Sequence, residues 1–166
     1  SFQGDDVNKS LIEFADAPAC QDEICWDWLL IEGANLAGVD KVSYDDRKKW
    51  VMDNEAQIMA VVNDPKGELW WADQDSPCQF LAWCFEYARA TDWKNTHNNS
   101  IVGFVCGLNI AFDGTCSGLQ HFSAILRDPV GGAAVNLIPS DKPSDIYGIV
   151  AEKVNKVLEQ DVLSGT

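Results

Sequence analysis

The chain has 166 residues and a mass of 18.3 kDa, and 46% of its residues are hydrophobic, which is typical of one folded domain or a large piece of one. Twelve Lys and Arg residues against 26 Asp and Glu residues give a net charge of −14. So acidic a surface repels a phosphate backbone, which disfavours an autonomous nucleic-acid-binding module. No apolar run approaches the roughly 20 residues that a bilayer requires, so we predict neither a membrane span nor a secretory signal.

The six cysteines show no CxxC spacing, and with only two histidines no zinc-binding pattern is convincing. Three disulfides would require an oxidising compartment, for which the sequence carries no export signal. We therefore predict free, mostly packed thiols in a reducing compartment. The chain opens at Ser1 without an initiator Met and stops at Thr166 soon after a helical pattern, so we expect a piece of a longer protein.

Helical periodicity begins after a polar and irregular stretch over residues 1–20. Apolar side chains at positions 24, 28 and 31 share one face of a helix that runs from Asp22 to about Ala37, and Gly38 would end it. A second helix is predicted from Ser43, whose hydroxyl is a natural N-cap with Asp46 three residues later. Its apolar positions continue to residue 62.

A third helix has the clearest start in the chain. Ser76 is a natural N-cap, Pro77 suits the first helical position, and Gln79 completes a capping box. The polar stretch Ala90–Ser100 that ends this pattern is predicted to be a surface loop, to which we assign no partner.

Residues 101–113 change to a period of two, with apolar side chains alternating with small ones, which predicts one strand or two short strands. A turn over 113–118 and a helix up to Asp128-Pro129 follow. After a turn at Gly131-Gly132, an amphipathic helix is predicted over 143–160. The predicted fold class is therefore α+β, mainly helical, with a small antiparallel sheet.

The most informative residue for chemistry is Asp113, at the C-terminal end of the predicted strand. A carboxylate that a buried strand presents at an exposed edge suits Mg²⁺, which prefers one or two carboxylates with water and phosphate oxygens. Gly114 lets the backbone come close to a ligand, so its carbonyl is a second candidate ligand. On the dipeptide alone, a plain Asp-Gly turn remains the better interpretation.

Two phosphate chemistries are excluded by the residues around Asp113. The segment from Gly114 to Gly118 lacks the length and the Gly-Lys-Ser/Thr ending of a P-loop. The run from Ala111 to Thr115 resembles the motif of haloacid dehalogenase-type phosphatases. Ala111, however, stands where those enzymes need their nucleophilic aspartate, so we reject a phosphoryl-aspartate mechanism.

The run Asp113-Gly-Thr-Cys-Ser-Gly-Leu-Gln-His-Phe-Ser-Ala resembles the first catalytic palm motif of the single-subunit RNA polymerases of bacteriophages and mitochondria. Ordered blocks at 33–41, 70–77, 84–87 and 126–150 extend the resemblance over nearly the whole chain. Residues 122–124 and 145–150 are closer to the phage branch. The resemblance implies that residues 1–166 are a palm-region fragment of a right-hand polymerase. Its parts would be a helical part at about 20–100, a strand–Asp–turn–helix catalytic motif at 101–128 and an amphipathic helix at 143–160.

This resemblance implies template-directed nucleotidyl transfer from ribonucleoside triphosphates by two Mg²⁺ ions. By position, Asp113 would bridge the two ions and the Gly114 carbonyl would complete their coordination. Lys41 matches a lysine that contacts the triphosphate, and a compact ammonium suits that task. Asp40 would orient Lys41 or a neighbouring cation, although the two also fit a plain solvated pair. Tyr147 would lie near the substrate, but helix packing explains it about as well.

Structural roles are expected for the other residues of the motif and its surroundings. Ser117 and His121 are interpreted as support, with His121 a hydrogen-bonded helix residue that lines the palm rather than a general acid or base. Arg127 and Asp128 either form a structural pair, which we favour, or position the nucleotide-binding elements. Three more residues are expected to pack in the core: Cys116, Leu119 and Phe122.

The expected partners are the triphosphates, a DNA template, the RNA product and the remaining polymerase domains, in the host cytoplasm if the protein is phage-encoded. The mechanism needs a second metal-binding aspartate, which we do not find, so the isolated chain is expected to be inactive. Seven tryptophans in an excised segment favour exposed apolar surface and self-association. The alternative is a non-catalytic interaction domain on a polymerase-like scaffold, with a reading frame that ends near Thr166.

Overall fold

The computed structural model describes residues 4–108, 116–141 and 143–164, with side chains up to residue 159. The chain divides into two compact units, Ser1–Ala111 and Phe112–Thr166, called here the N-terminal unit and the C-terminal unit. Helices dominate the described part of both units, which confirms the predicted mainly helical character. None of the described helices combines the length and apolar character that a bilayer span requires.

Five helices and one 3-10 turn build the described part of the N-terminal unit. They are α1 (Asp6–Ser10), α2 (Ile24–Leu36), α3 (Tyr44–Asp53), α4 (Glu55–Asn63), the 3-10 turn Leu69–Asp73 and α5 (Pro77–Thr96). The predicted first helix is confirmed as α2. The predicted second helix is instead two helices, because Asn54 ends α3 and its side-chain amide donates to the Trp50 carbonyl at 2.7 Å, in competition with the backbone.

A single apolar core surrounds α5 in the N-terminal unit. Trp83, at the middle of α5, is fully buried, and its indole N–H donates to the Leu29 carbonyl of α2 at 2.8 Å. Aromatic rings continue along α5 with centroids 5.2 to 6.0 Å apart, a spacing that favours ring–ring attraction beyond simple burial. In order, this aromatic row is Trp50, Trp70, Phe80, Trp83, Tyr87 and Trp26.

The close contact between α2 and α5 depends on Gly33. A methyl group built on Gly33 would lie 2.1 Å from the Trp83 ring, so no larger residue fits without movement of a helix or of the indole. Trp83 in turn fills the space beside Gly33. The Gly33–Trp83 contact therefore sets the distance between these two helices.

The cap of α5 differs from the prediction. Pro77 is the first helical residue, as predicted, but the Ser76 side chain makes no cap hydrogen bond. The Asp6 carboxylate of α1 accepts instead, from the backbone N–H groups of Cys78 at 2.5 Å and Gln79 at 3.2 Å and from the Gln79 side chain at 3.0 Å. At the positive N-terminal end of a helix, a carboxylate is a stronger hydrogen-bond acceptor than a hydroxyl. The bond from the Cys78 N–H to Asp6 joins two residues that lie 72 positions apart in the sequence.

The predicted loop Ala90–Ser100 is wrong over most of its length, because α5 continues to Thr96. The polar residues of this stretch occupy the solvent side of a helix rather than a loop. The His97 ring stacks on Trp93 with centroids 3.8 Å apart, and Asn98 and Asn99 adopt left-handed φ values of 53° and 62°. The true turn is therefore confined to residues 97–100.

The small sheet predicted for residues 101–113 is not found in the described part, 101–108. Val105 and Leu108 form only isolated antiparallel bridges, with Ala19 and Glu13. Gly103 has a φ of +87°, and the Phe104 N–H donates to the Ile101 carbonyl, so a turn interrupts the extended run. The turn buries Ile101 and Phe104, three residues apart, and breaks the predicted alternation. Residues 109–113 of the predicted strand lie outside the described residues.

The described part of the C-terminal unit contains α6 (Ser117–Leu126), α7 (Pro129–Ala134) and α8 (Ile146–Ser164). The helices α6 and α8 confirm two predicted elements, but the predicted Gly131-Gly132 turn lies inside α7. A methyl group on Gly131 would lie 2.5 Å from the Ser123 hydroxyl of α6. Gly131 therefore allows α6 and α7 to approach closely instead of turning the chain.

The expected core packing of the motif helix is also wrong within this unit. Leu119 is 41% exposed and Phe122 is 65% exposed, and neighbouring apolar residues of α6 are at least as open. The predicted exposed tryptophans, in contrast, mostly pack in or against the core of the N-terminal unit. Exposed apolar side chains are thus present in both units, and among the described residues they are most concentrated on α6 and α8.

The six cysteines are free thiols, as predicted. Burial raises the pKa of the Cys20 and Cys84 thiols to about 12. A raised pKa disfavours the thiolate, which is the nucleophilic form of cysteine. These cysteines therefore fill space in the N-terminal unit.

Candidate functional site

The connection between α2 and α3 carries the first predicted site residues, Asp40 and Lys41. It begins where α2 ends in a Schellman motif: the N–H of Gly38 donates to the Asn35 carbonyl at 3.0 Å, and the N–H of Val39 donates to the Ala34 carbonyl at 2.8 Å. Gly38 has a φ of +87°, which glycine adopts without steric cost. The predicted stop at Gly38 is confirmed, and it turns the chain sharply toward Asp40.

The other end of this connection is fixed by the predicted cap at Ser43. The Ser43 hydroxyl accepts from the Asp46 backbone N–H at 3.2 Å and donates to the Asp46 carboxylate at 2.7 Å. Both groups of the capping box thereby satisfy one another at the start of α3. Residues 39–42 are therefore held between two regular helix termini.

Between these termini, the Lys41 ammonium projects into solvent beside an acid. Its side chain is 87% exposed, and its Nζ lies 2.9 Å from the Asp40 carboxylate. An exposed ion pair of this kind contributes little to stability, so the pair is free to exchange partners at low cost. The geometry brings Asp40 and Lys41 together, as the sequence predicted, and suits a cation that meets an anionic ligand from solvent.

The buried guanidinium of Arg47 donates hydrogen bonds to the end of α2 and to the connection. Arg47 is 3% exposed, and its three nitrogens donate to three different oxygens. Nη1 contacts the side-chain carbonyl of Asn35 at 2.7 Å, Nη2 the Asp40 carbonyl at 2.6 Å, and Nε the Val42 carbonyl at 3.2 Å. The fixed fork of a guanidinium matches this set of acceptors, whereas an ammonium does not.

Our sequence reasoning missed Arg47, although a signal was present. Arg47 lies one helical turn after the Ser43 cap, and side chains in a helix point back toward its N-terminus. An arginine at that position therefore extends toward the preceding connection. Near this connection, burial raises the pKa of the Glu32 carboxyl in α2, and a hydrogen bond with Asn35 opposes that shift.

The remaining described site residues belong to the C-terminal unit, where their contacts are local. The Ser117 carbonyl lies 2.6 Å from Nδ1 of His121, so His121 is hydrogen-bonded within α6. Arg127 adopts a φ of 52° at the end of α6, and the Asp128 carboxylate accepts from the Val130 N–H at 3.0 Å at the start of α7. The ion pairs among the described residues do not include Arg127 with Asp128, so these two residues form consecutive helix caps rather than the pair we favoured.

Tyr147 lies in the first turn of α8, and its side chain is 66% exposed. Its backbone N–H donates to the Asp145 carboxylate at 3.0 Å, which anchors the helix start. The high exposure disfavours the helix-packing interpretation within this unit.

The two predicted metal ligands, Asp113 and Gly114, lie outside the described residues. Elsewhere in the described ranges, no three His, Cys, Asp or Glu side chains are grouped so that they could hold a metal ion. The magnesium site therefore stays a prediction from the sequence.

Comparison with known proteins gives the family. A family model described as DNA-dependent RNA polymerase matches residues 20–166. The chain is 50% identical over 164 residues, 99% of its length, to the DNA-directed RNA polymerase of Enterobacteria phage T3 and to T7 RNA polymerase of Escherichia phage T7. It is 36% identical over 164 residues, 98% of its length, to the mitochondrial DNA-directed RNA polymerase of Mus musculus.

The chain spans only 18% of each of these two phage relatives and 13% of the mouse relative. Its identity to the phage enzymes exceeds its identity to the mouse enzyme, in agreement with the branch that residues 122–124 and 145–150 indicated. The match begins at residue 20 and continues through both units, so it includes the α2–α3 connection and the Asp113 motif. The chain therefore belongs to the DNA-dependent RNA polymerase family.

Proposed function

We propose that this chain is part of the palm of a phage-type DNA-directed RNA polymerase, which extends RNA from ribonucleoside triphosphates on a DNA template. The observation that carries the proposal is the 50% identity over 99% of the chain to two phage enzymes of that name. The order of the motif blocks along the chain supports it. The polymerase would act in the host cytoplasm, with the remaining polymerase domains as partners.

Asp113 is the proposed ligand shared by two Mg²⁺ ions, with the Gly114 carbonyl beside it. When bound, the metal ions activate the attacking 3′-hydroxyl and stabilise the pyrophosphate that leaves. The role of this chain is to supply one carboxylate and one carbonyl from the residues that precede α6 in the sequence. Ser117 and His121 support α6, and Arg127 and Asp128 support the junction between α6 and α7.

Lys41 is the proposed contact to the triphosphate, and the geometry of its connection supports this role. Its ammonium projects into solvent from a segment whose two ends are fixed, so a phosphate oxygen can displace the Asp40 carboxylate from it. A charge-assisted hydrogen bond to phosphate is stronger than an exposed ion pair. Tyr147, exposed on α8, is proposed to lie near the same substrate.

The test uses the complete polymerase that contains this chain. Asp113→Asn should reduce run-off transcription by roughly a hundredfold to a thousandfold, because loss of one group that stabilises transition-state charge costs about that much. Promoter binding, measured by gel shift, should remain. The matched control is Asp53→Asn at the exposed end of α3, which removes one negative charge and should leave transcription unchanged.

Run-off transcription that survives Asp113→Asn would exclude Asp113 from the mechanism. If the complete protein binds DNA or polymerase domains but never extends RNA, the alternative of a non-catalytic interaction domain is correct. A reading frame that ends near Thr166 would also support the non-catalytic interaction domain, since no second metal-binding aspartate would then follow.

A further inference from the structure

The peptide carbonyls on either side of Lys41 are held by one buried side chain. Arg47 Nη2 donates to the Asp40 carbonyl at 2.6 Å, and Nε donates to the Val42 carbonyl at 3.2 Å. These two carbonyls belong to the residues immediately before and after Lys41. The backbone on both sides of Lys41 is therefore held by the planar guanidinium of a single residue.

The third donor extends this restraint into α2. Nη1 of Arg47 contacts the Asn35 side chain at 2.7 Å, and Asn35 lies in the last turn of α2, next to the Schellman motif. Arg47 itself lies in α3, and the face of its guanidinium lies over the Tyr44 ring with 5.1 Å to the centroid. The guanidinium thus joins the end of α2, the connection and the start of α3.

These contacts are not what a substrate-binding arginine makes. Arg47 is 3% exposed, so its guanidinium does not reach a ligand that approaches from solvent. Its three acceptors are neutral amide and peptide oxygens that belong to the connection and the end of α2. Burying a guanidinium is costly unless its donors are satisfied, and here they are satisfied by fixing the backbone around Lys41.

We propose that Arg47 is a positioning residue for the triphosphate site, because it fixes the Asp40–Val42 backbone so that Lys41 meets the triphosphate without first being ordered. The inference rests on the proposed role of Lys41 and deepens it. A connection that is already ordered loses less conformational entropy when the nucleotide binds. Arg47 therefore acts on nucleotide affinity through Lys41, not through a contact of its own.

Two substitutions in the complete polymerase test this role. Arg47→Met keeps a long side chain but removes all three donors, and Arg47→Lys keeps the charge but not the fork. We expect Arg47→Met to raise the apparent KM for ribonucleotides about tenfold, in line with the loss of hydrogen bonds from a charged group. Arg47→Lys should give a smaller rise. The kcat per active site should stay near that of the parent enzyme.

A destabilised variant gives the matched control. Val51 lies one turn further along α3 and is fully buried in the core, but it is not among the partners of the Asp40 and Val42 carbonyls. Val51→Ala should lower the melting temperature and leave the KM unchanged. If Val51→Ala raises the KM as much as Arg47→Met does, the effect is general loosening and the proposal is wrong.

A double substitution shows whether Arg47 acts through Lys41. Lys41→Ala alone should raise the KM about tenfold or more. Adding Arg47→Met to Lys41→Ala should then change the KM by less than about twofold, because the residue to be positioned is gone. If the KM increase of the double variant equals the product of the two single increases, the proposal is wrong, because Arg47 would then act independently of Lys41.

The outcomes separate the two proposals. An unchanged KM in Lys41→Ala would overturn the triphosphate role of Lys41 and, with it, the role of Arg47. A raised KM in Lys41→Ala with an unchanged KM in both Arg47 variants would retain the triphosphate role of Lys41 and overturn only the positioning role of Arg47. A raised KM in all three variants, without further effect in the double variant, supports both.

Discussion

The two units of this chain use their apolar residues in opposite ways. In the N-terminal unit, α2, α3, α4 and α5 bury a continuous core in which Trp83, Phe80 and Ile58 are fully inaccessible. In the C-terminal unit, α6 and α8 leave apolar side chains such as Phe122, Ile125 and Val154 between 50% and 79% exposed. Helical periodicity alone does not separate the two cases. Whether an apolar face becomes a core depends on what the rest of the chain packs against it.

This comparison predicts different costs for similar substitutions. All seven tryptophans lie between residues 26 and 93, so their fluorescence follows the N-terminal unit alone. Far-ultraviolet circular dichroism reports on the helices of both units. The two measurements together assign each change in stability to one unit.

The largest effect is expected for Trp83→Ala. The substitution removes a fully buried ring at the centre of the aromatic row and its hydrogen bond to the Leu29 carbonyl. We expect a loss of about 3–5 kcal/mol in the free energy of unfolding, measured by urea titration with tryptophan fluorescence. Trp28→Ala is the control, because Trp28 is 48% exposed and should cost about 1 kcal/mol or less. Equal costs would mean that the aromatic row is not the core.

Gly33→Ala should have the next largest effect. The added methyl group would lie 2.1 Å from the Trp83 ring, and overpacking of this kind costs about 1–3 kcal/mol. Gly118→Ala is the counterpart in α6, where a methyl group meets no atom within 4 Å. That substitution should be neutral or stabilise α6 by up to about 1 kcal/mol, as followed by circular dichroism. If Gly33→Ala is also neutral, α2 and α5 do not approach each other as closely as the structure places them.

Asp6→Asn should cost about 1 kcal/mol of stability at neutral pH, because the negative charge and one of the two acceptor oxygens at the start of α5 are lost. Burial alone would raise the pKa of Asp6, but hydrogen bonds from Gln79 and Cys78 lower this pKa below its ordinary value of 3.8. The stabilisation is therefore complete above the unfolded-state pKa and is lost as the pH falls through the folded-state pKa. Urea titrations at a series of pH values should show the parent and the variant converging at acid pH.

Ser76→Ala is the matched control for this cap. Its side chain makes no cap hydrogen bond, so the substitution should change stability by less than about 0.5 kcal/mol. A larger loss of stability for Ser76→Ala than for Asp6→Asn would show that Ser76 caps α5, as the sequence predicted.

The smallest effect on stability is expected for Phe122→Ser in the C-terminal unit. Because Phe122 is 65% exposed, its loss should change the thermal unfolding seen by circular dichroism by no more than about 0.5 kcal/mol. The same change should reduce any self-association of the isolated chain in sedimentation experiments, because it shrinks an exposed apolar patch. A cost near that of Trp83→Ala would show that α6 is buried after all.

The predictions from the sequence differ in how far apart along the chain the deciding groups lie. The predictions that held depend on local chemistry: the Gly38 stop, the Ser43 cap and Pro77 at the start of α5 each involve groups within a few residues. Two of the predictions that failed depend on distant partners, whereas the break between α3 and α4 comes from a local hydrogen bond of Asn54 to the Trp50 carbonyl. The cap of α5 comes from Asp6, and the predicted strand at 101–108 is bent by a turn that buries Ile101 and Phe104.

The candidate site divides in the same manner. The adjacent pair Asp40 and Lys41 was predictable, because neighbours in sequence are neighbours in space. The Arg47 fork was not predicted, since it depends on how α3 lies against the Asp40–Val42 backbone. The magnesium ligands at Asp113 and Gly114 stay predictions, and the Asp113→Asn experiment is their test.

The sequence by itself determined the family, the helical character and the local signals at the ends of α2 and α3, because motif order and neighbouring hydrogen-bonding groups are written directly in the chain. Only the tertiary structure decided which apolar faces are buried, which carboxylate caps α5 and which arginine holds Lys41. Those features arise from contacts between residues far apart in sequence, and periodicity carries no information about such partners.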